Sequence, residues 1–279
     1  MANYWQTTRF KIDLSAPKVM GIVNVTPDSF SDGGRYVSTQ AAIKHAIKLV
    51  QDGADILDIG AESTRPGSPV VPLEEELKRL LPVLDEVLKL GVPVSVDTYK
   101  PETMQAVLDL GVDIINDVWG ARMAGVVDVL AAHVDCGICL MHMHGEPETM
   151  HLTPMEGMAL PVVKLFLKKQ AEILANAGIA QKRIVLDYGI GFGKTVAQNF
   201  ELLARQDELL ELGYPLLSAW SRKKSLGAVT GREVDERLAA SITVAVLAVE
   251  RGASIVRVHD VKETVDALKV LQAVQSALE

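Results

Sequence analysis

The feature that most constrains this chain is an alternation repeated eight times, in which a short apolar run rich in β-formers precedes a longer stretch with helical spacing. The runs are Val19–Val25, Ile56–Ile59, Pro93–Val96, Ile114–Asn116, Gly137–Met141, Ile184–Leu186, Leu216–Ser218 and Ile255–Val258. After each run, in order, come Thr39–Asp52, Leu73–Leu90, Thr103–Leu110, Val126–His133, Leu160–Ala177, Phe200–Leu212, Val234–Arg251 and Val261–Leu278. These carry apolar residues every three or four positions, as at Leu77, Leu80, Leu81, Leu84 and Leu88. Glycine closes several of them (Gly53, Gly91, Gly111, Gly178 and Gly252), where a left-handed residue ends a helix. Eight such units in 279 residues predict an α/β fold of the (β/α)8 TIM-barrel type. A doubly wound sheet also alternates, but fits that count less well. The reading is one domain over 1–279, with 1–17 as an N-terminal extension and 18–279 as the barrel. Within the extension, Tyr4–Asp13 reads as an extra strand or cover.

Composition narrows the function. Hydrophobic residues make up 48% and charged residues 23%, enough for a large core. The net charge of −8 is spread along the chain, so nucleic acid is not an expected partner, and an anionic ligand would need a local cluster of cations. No stretch approaches the ~18 apolar residues of a membrane span, and Met1–Phe10 lacks the apolar core of a signal peptide. Two cysteines, Cys136 and Cys139, imply a reducing cytoplasm rather than a disulfide framework. They spell C-x-x-C, but residues three apart in a strand face opposite ways, so the pair reads as buried thiols rather than a chelate.

In a TIM barrel the chemistry sits where the strands end. Every run here ends in hydrogen-bonding or charged groups: Asn24; Asp58 leading into Glu62-Ser63-Thr64-Arg65-Pro66-Gly67; Asp97; Asn116 and Asp117; His142; Asp187; Ser221-Arg222-Lys223; and Arg257, His259 and Asp260. The connections after the first two runs are long and rich in Gly, Pro and Ser, as in closing loops. Arg65, Lys223, Arg257 and His259 form a cationic group suited to an anion. The amide oxygen of Asn24 can hold a hard Mg2+ that otherwise keeps water and substrate oxygens. Asp97, Asn116 and Asp187 suit a flat heterocycle rich in N–H donors. Together these point to a heterocycle carrying a phosphate leaving group.

Two glycine-rich patterns do not hold up. Gly193-Lys194-Thr195 ends like a phosphate-binding loop, but its first glycine would fall on Tyr188, and Gly189-x-Gly191 has Lys194 where a dinucleotide fingerprint needs its third glycine. His142-Met143-His144 reads as structural or supporting rather than as a metal site.

The run Met20-Gly21-Ile22-Val23-Asn24-Val25-Thr26-Pro27-Asp28-Ser29-Phe30-Ser31-Asp32-Gly33-Gly34, followed by Glu62-Ser63-Thr64-Arg65-Pro66-Gly67, resembles the two signatures of the dihydropteroate synthases. Ser95-Val96-Asp97-Thr98, Ile115-Asn116-Asp117, Gly191-Phe192-Gly193-Lys194, Ser221-Arg222-Lys223 and Arg257-Val258-His259-Asp260 follow in the family's order. The resemblance implies condensation of 6-hydroxymethyl-7,8-dihydropterin diphosphate with p-aminobenzoate, by a path in which diphosphate leaves before the amine attacks. It implies a transferase of folate biosynthesis that is Mg2+-dependent, cytoplasmic, homodimeric and inhibited by sulfonamides. By the same resemblance Asn24 would bind Mg2+ and help to hold the diphosphate with Arg65, Arg257 and His259. Asp97, Asn116, Asp187 and Lys223 would hold the pterin, and Thr64, Pro66, Phe192, Ser221 and Lys223 the p-aminobenzoate. Arg65, Lys223, Arg257 and His259 would carry the catalysis. The sequence departs from the family at Ala61, Tyr188, His144, Ala219-Trp220 and Lys224; Tyr188 and Trp220 adjoin assigned residues and bear on pocket shape. Two rivals are a pterin-binding methyltransferase, which has no diphosphate to hold, and a non-catalytic pterin-binding paralogue.

Overall fold

The computed structural model describes residues 3–25, 34–62, 69–145 and 154–277. An antiparallel hairpin, β1 (Tyr4–Gln6) and β2 (Lys11–Asp13), precedes the eight expected strands. These are β3 (Lys18–Asn24), β4 (Ile56–Gly60), β5 (Val94–Asp97), β6 (Ile114–Asp117), β7 (Gly137–Met141), β8 (Ile184–Asp187), β9 (Leu216–Ser218) and β10 (Ala253–Val258). Each pairs in parallel with the next, and β10 returns to β3, so the sheet closes into the expected barrel.

The helices are α1 (Gly34–Gln51), α2 (Leu73–Val87), α3 (Pro101–Asp109), α4 (Val126–Ala132), α5 (Ala159–Asn176), α6 (Val196–Ala204), α7 (Lys224–Thr230), α8 (Leu238–Glu250) and α9 (Val261–Ser276). Three departures from the sequence reading have local causes. The expected helix Phe200–Leu212 is two pieces. α6 starts earlier because Thr195 accepts the Gln198 N–H while the Gln198 side chain accepts the Thr195 N–H, and Gln206–Leu212 winds as a tighter 3-10 turn. α8 begins only at Leu238, after a separate turn over Val234–Glu236. α7 was not expected, since its seven residues include Gly227 and bury only Ser225 and Leu226, too few to make a stripe. The closing glycines do as predicted; Gly53 and Gly111, for example, both sit at φ +100°.

Alternation along each strand sorts the core into two layers. Outward residues such as Leu57, Val96, Ile115, Leu140, Leu186 and Val256 pack against the helices. Inward residues Met20, Ile56, Ile114, Cys139, Val185, Leu217 and Ile255 fill the lower barrel, where Trp5 of the hairpin closes the floor. Its indole Nε1 donates to the Arg183 carbonyl at 2.8 Å, so the extension is a cover for the barrel. Cys136 belongs to the outer layer and Cys139 to the inner, both unbridged, as the strand argument requires.

Candidate active site

The same period of two that fills the barrel floor builds the site one layer higher. Asp58 follows Ile56 by two residues, Asn116 follows Ile114, Asp187 follows Val185 and Arg257 follows Ile255. Asp97 follows the buried Ser95 and lies beside Asn116 in the β5–β6 register. The barrel therefore carries a polar layer immediately above an apolar one.

Arg257 organises that layer. Its Nε donates to Asp58 Oδ2 at 2.6 Å and its Nη2 to Asp97 Oδ2 at 2.9 Å. Asn116 Nδ2 donates to the same Asp58 oxygen at 3.1 Å. Burial works against the Arg257 charge, but Asp58 and Asp97 outweigh it and hold the guanidinium more firmly protonated than usual. Asp58 is completely buried. Sequence reasoning noted it as a strand end and gave it no role, although it shares the inward face with Asp97's layer. Two acceptors here, Asp58 Oδ1 and Asn116 Oδ1, are buried without a hydrogen-bond partner among the described residues. An unmet buried acceptor costs about 1–3 kcal/mol, so the layer is suited to a ligand that brings N–H donors.

Burial raises the carboxyl of Asp97 well above the usual range; Arg257 and Lys223 oppose the rise and Asp58 adds to it. Asp187 is also raised by burial, against the Gly189 N–H that donates to its Oδ1 at 2.7 Å. Lys223 is pushed down to about 8, first by burial and then by Arg257, while Asp187 and Asp97 pull the other way. Its ammonium lies 4.4 Å from the centre of the Phe192 ring.

His259 departs from the sequence reading, which grouped it with the cations. Burial, then Arg257 and Arg222, push its imidazole down to about 4, so it is neutral at pH 7. Ser221 Oγ accepts the His259 backbone N–H at 3.2 Å and lies 3.0 Å from His259 Nδ1. With the hydroxyl donating to Nδ1, the ring proton sits on Nε2, and His259 offers an anion a neutral N–H. Arg222 holds this corner from behind, with φ 59° and two bonds to the Asp260 carboxylate.

The glycine-rich loop after β8 is held by Lys194, whose Nζ donates to the carbonyls of Gly189 at 2.6 Å and Phe192 at 3.2 Å. Its charge is therefore turned into the loop, in line with rejecting a nucleotide-binding motif. Gly189 has φ +65°, and a Cβ there would sit 1.9 Å from the His142 carbonyl oxygen. Phe192 joins Tyr99, Val118, Met141 and Met143 in an apolar cluster. His142, likewise deeply buried, is driven down to about 2 by burial and the nearby Lys194, which suits the supporting role expected of it.

Asn24 is the one exposed residue of β3. Thr64, Arg65 and Pro66 lie outside the described residues. Just before them, Glu62 accepts from Tyr99 Oη at 2.9 Å and pairs with Lys100 Nζ at 2.5 Å.

The departures near assigned residues resolve favourably. Tyr188 and Trp220 both pack in the outer layer against the helices, not in the barrel interior. Ala61 is not among the described non-glycine residues with positive φ, which are Ala121 and Arg222, so alanine carries no backbone strain there.

Residues 20–259 match the family model for pterin-binding enzymes. The chain is 50% identical over 277 residues to a dihydropteroate synthase of Neisseria meningitidis serogroup B, covering 97% of each. A Burkholderia cenocepacia dihydropteroate synthase solved with 7,8-dihydropteroate is 44% identical, covers 99% of this chain and 97% of its own, and superposes with a TM-score of 0.89. A Xanthomonas albilineans dihydropteroate synthase solved with 4-aminobenzoic acid is 47% identical, with 95% of each chain covered and a TM-score of 0.89.

Proposed function

We propose, from the premise that this chain belongs to the dihydropteroate synthases of the pterin-binding enzyme family, that it condenses 6-hydroxymethyl-7,8-dihydropterin diphosphate with p-aminobenzoate and releases diphosphate. The observation that carries the reading is the buried layer of Asp58, Asp97 and Asn116 bridged by Arg257, with two acceptors left unmet. A pterin's amino and ring N–H groups would supply a donor to the unmet Asn116 Oδ1 and further donors to the Asp97 and Asp187 carboxyls beside it.

The reaction breaks the bond from the pterin methylene carbon to the diphosphate oxygen, and the electron pair leaves with diphosphate. The arylamine nitrogen then attacks that carbon and loses a proton. An arylamine is already a nucleophile, so the protein's task is electrostatic. The carboxylates Asp97 and Asp187 stabilise the cationic methylene. Lys223, the Arg257 Nη1 donors, engaged by no described residue, and the neutral His259 N–H meet the departing anion. Phe192, Ser221 and Lys223, with Thr64 and Pro66, receive p-aminobenzoate, and sulfonamides compete there.

Two cations of the layer, Arg257 and Lys223, already face three carboxylates, Asp58, Asp97 and Asp187. The diphosphate therefore needs further positive charge, from Arg65 and from Mg2+. Asn24 fits such an ion: it is exposed at a strand end, its side chain bonds to no described residue, and it carries a hard amide oxygen. Among the described residues no group of three or more His, Cys, Asp or Glu could hold a metal, so water and substrate oxygens would complete the shell. When bound, the ion neutralises charge on the diphosphate.

We assign a homodimer through α8 and α9. α8 is almost wholly apolar yet buries only Ser241, Val244, Ala245 and Ala248, and Leu238, Val270 and Val274 stand exposed nearby. The cytoplasm is assigned on the two free, buried thiols.

The deciding experiment measures diphosphate release with both substrates and Mg2+, with and without p-aminobenzoate. Dihydropteroate and diphosphate should form in equal amounts, dependent on the amine. Pterin binding with no diphosphate release would establish a non-catalytic binder.

A pH profile tests Lys223. Its amine loses its charge above about pH 8, so kcat/KM should show an alkaline limb that falls above that value. Lys223→Arg, which does not titrate there, should remove the alkaline limb. An unchanged limb in that variant would assign the titration to another group.

A further inference from the structure

Asp187 is the last residue of β8, and the next side chain alternates to the other face of the sheet. That next residue, Tyr188, is completely buried between sheet and helices. We infer that Tyr188 is a positioning residue for Asp187, fixing the end of β8 through hydroxyl bonds to Ser218 and Gln206.

The backbone ladder between β8 and β9 ends at the pair Asp187 and Leu217. One residue further, the Tyr188 hydroxyl and Ser218 Oγ lie 2.6 Å apart, so side chains continue the link where the backbone stops. The phenol proton goes to Gln206 Oε1 at 2.6 Å, which leaves the phenol oxygen to accept from Ser218. Gln206 is itself fully buried, and its Nε2 donates to the carbonyls of Ala248 at 2.9 Å and Arg251 at 3.1 Å. Ser218 pairs in register with Val256, the residue before Arg257. The network thus ties the strand end carrying Asp187 both to the end of α8 and to the strand carrying Arg257.

After Tyr188 the chain turns at once at Gly189, whose N–H is bound to Asp187 Oδ1. The carboxylate therefore hangs from a short segment whose outer anchor is the Tyr188 phenol. On the β7 side, Asp187 is paired in register with Met141. A shift at position 188 reaches Asp187 through one peptide unit.

The inference rests on Asp187 being a pterin contact, and a double-mutant cycle separates the two claims. Tyr188→Phe keeps the ring and removes both bonds. A buried hydrogen bond is worth about 0.5–1.5 kcal/mol net, so affinity for free 6-hydroxymethylpterin should fall about threefold to tenfold, as should KM for the pterin diphosphate rise. KM for p-aminobenzoate should not move. In an Asp187→Asn background the same change should cost less than about twofold, since the carboxylate it positions is gone. Ser218→Ala, a smaller change, should repeat the pattern and carries the test if Tyr188→Phe folds poorly. Equal losses in both backgrounds, or equal shifts for both substrates, would make the network merely structural. An Asp187→Asn protein with undiminished pterin affinity would instead overturn the pterin contact itself.

Discussion

Replacing Arg257 by alanine should lower kcat/KM for the pterin diphosphate by about a hundredfold, given roughly 1.5–3 kcal/mol for each charge-assisted bond lost. It should also destabilise the fold by about 3–5 kcal/mol, because Asp58 and Asp97 would be left buried with no counter-charge. On sequence alone Arg257 is a phosphate ligand, and diphosphate binding should suffer far more than binding of a free pterin. The structure alters that expectation: the guanidinium bridges the carboxylates beside the pterin edge, so both ligands should weaken. The pH dependence follows from the sign of the linkage. Without Arg257 the Asp97 carboxyl, already raised by burial, would rise further, so the folded variant binds protons more tightly than the unfolded chain. Its stability then falls as pH rises above about 4, the ordinary carboxyl value. The destabilisation should accordingly shrink as the solution is acidified toward pH 5. Urea unfolding at pH 5 and pH 8 reads this directly. A loss within 1 kcal/mol of zero at pH 8, with free pterin affinity intact, would mean the bridge does not matter.

Asp187→Asn and Asp97→Asn should each weaken pterin binding by about ten- to hundredfold, the range of a charge-assisted hydrogen bond, while p-aminobenzoate binding stays unchanged. The reason is an acceptor count. Asp187 Oδ1 is taken by the Gly189 N–H and Asp97 Oδ2 by Arg257, which leaves one oxygen of each for a ligand. Asparagine has a single acceptor oxygen. If the local bond keeps it, the amide presents N–H groups to a ligand edge that also donates. Asp187→Asn should not lower thermal stability much, since burial already penalises the charged form there. Calorimetry with a free pterin decides the matter; full affinity in both variants would remove these residues from the pterin site.

Much of this protein was legible in its sequence because the relevant signals are short-range periodicities. A period of two gave the strands, the opposite facing of Cys136 and Cys139, and the polar residues that end each strand. A period near 3.6 with closing glycines gave the helices, and eight repeats gave the barrel. Elements without a stripe escaped, α7 above all, and so did the break between α6 and the 3-10 turn that follows it. What only the tertiary structure decided is which groups meet and in what state of charge. The Asp58–Arg257 bond joins residues 199 apart and exists because the barrel closes β10 against β3, which in turn pairs with β4. His259 is written as a titratable base, yet burial beside Arg257 makes it a neutral donor. Tyr188 adjoins a site residue in sequence but faces the helices, since neighbouring strand residues take opposite faces and Asp187 holds the inner one. Periodicity fixes which face a side chain takes; charge pairing and protonation depend on burial and on neighbours that only closure of the sheet supplies.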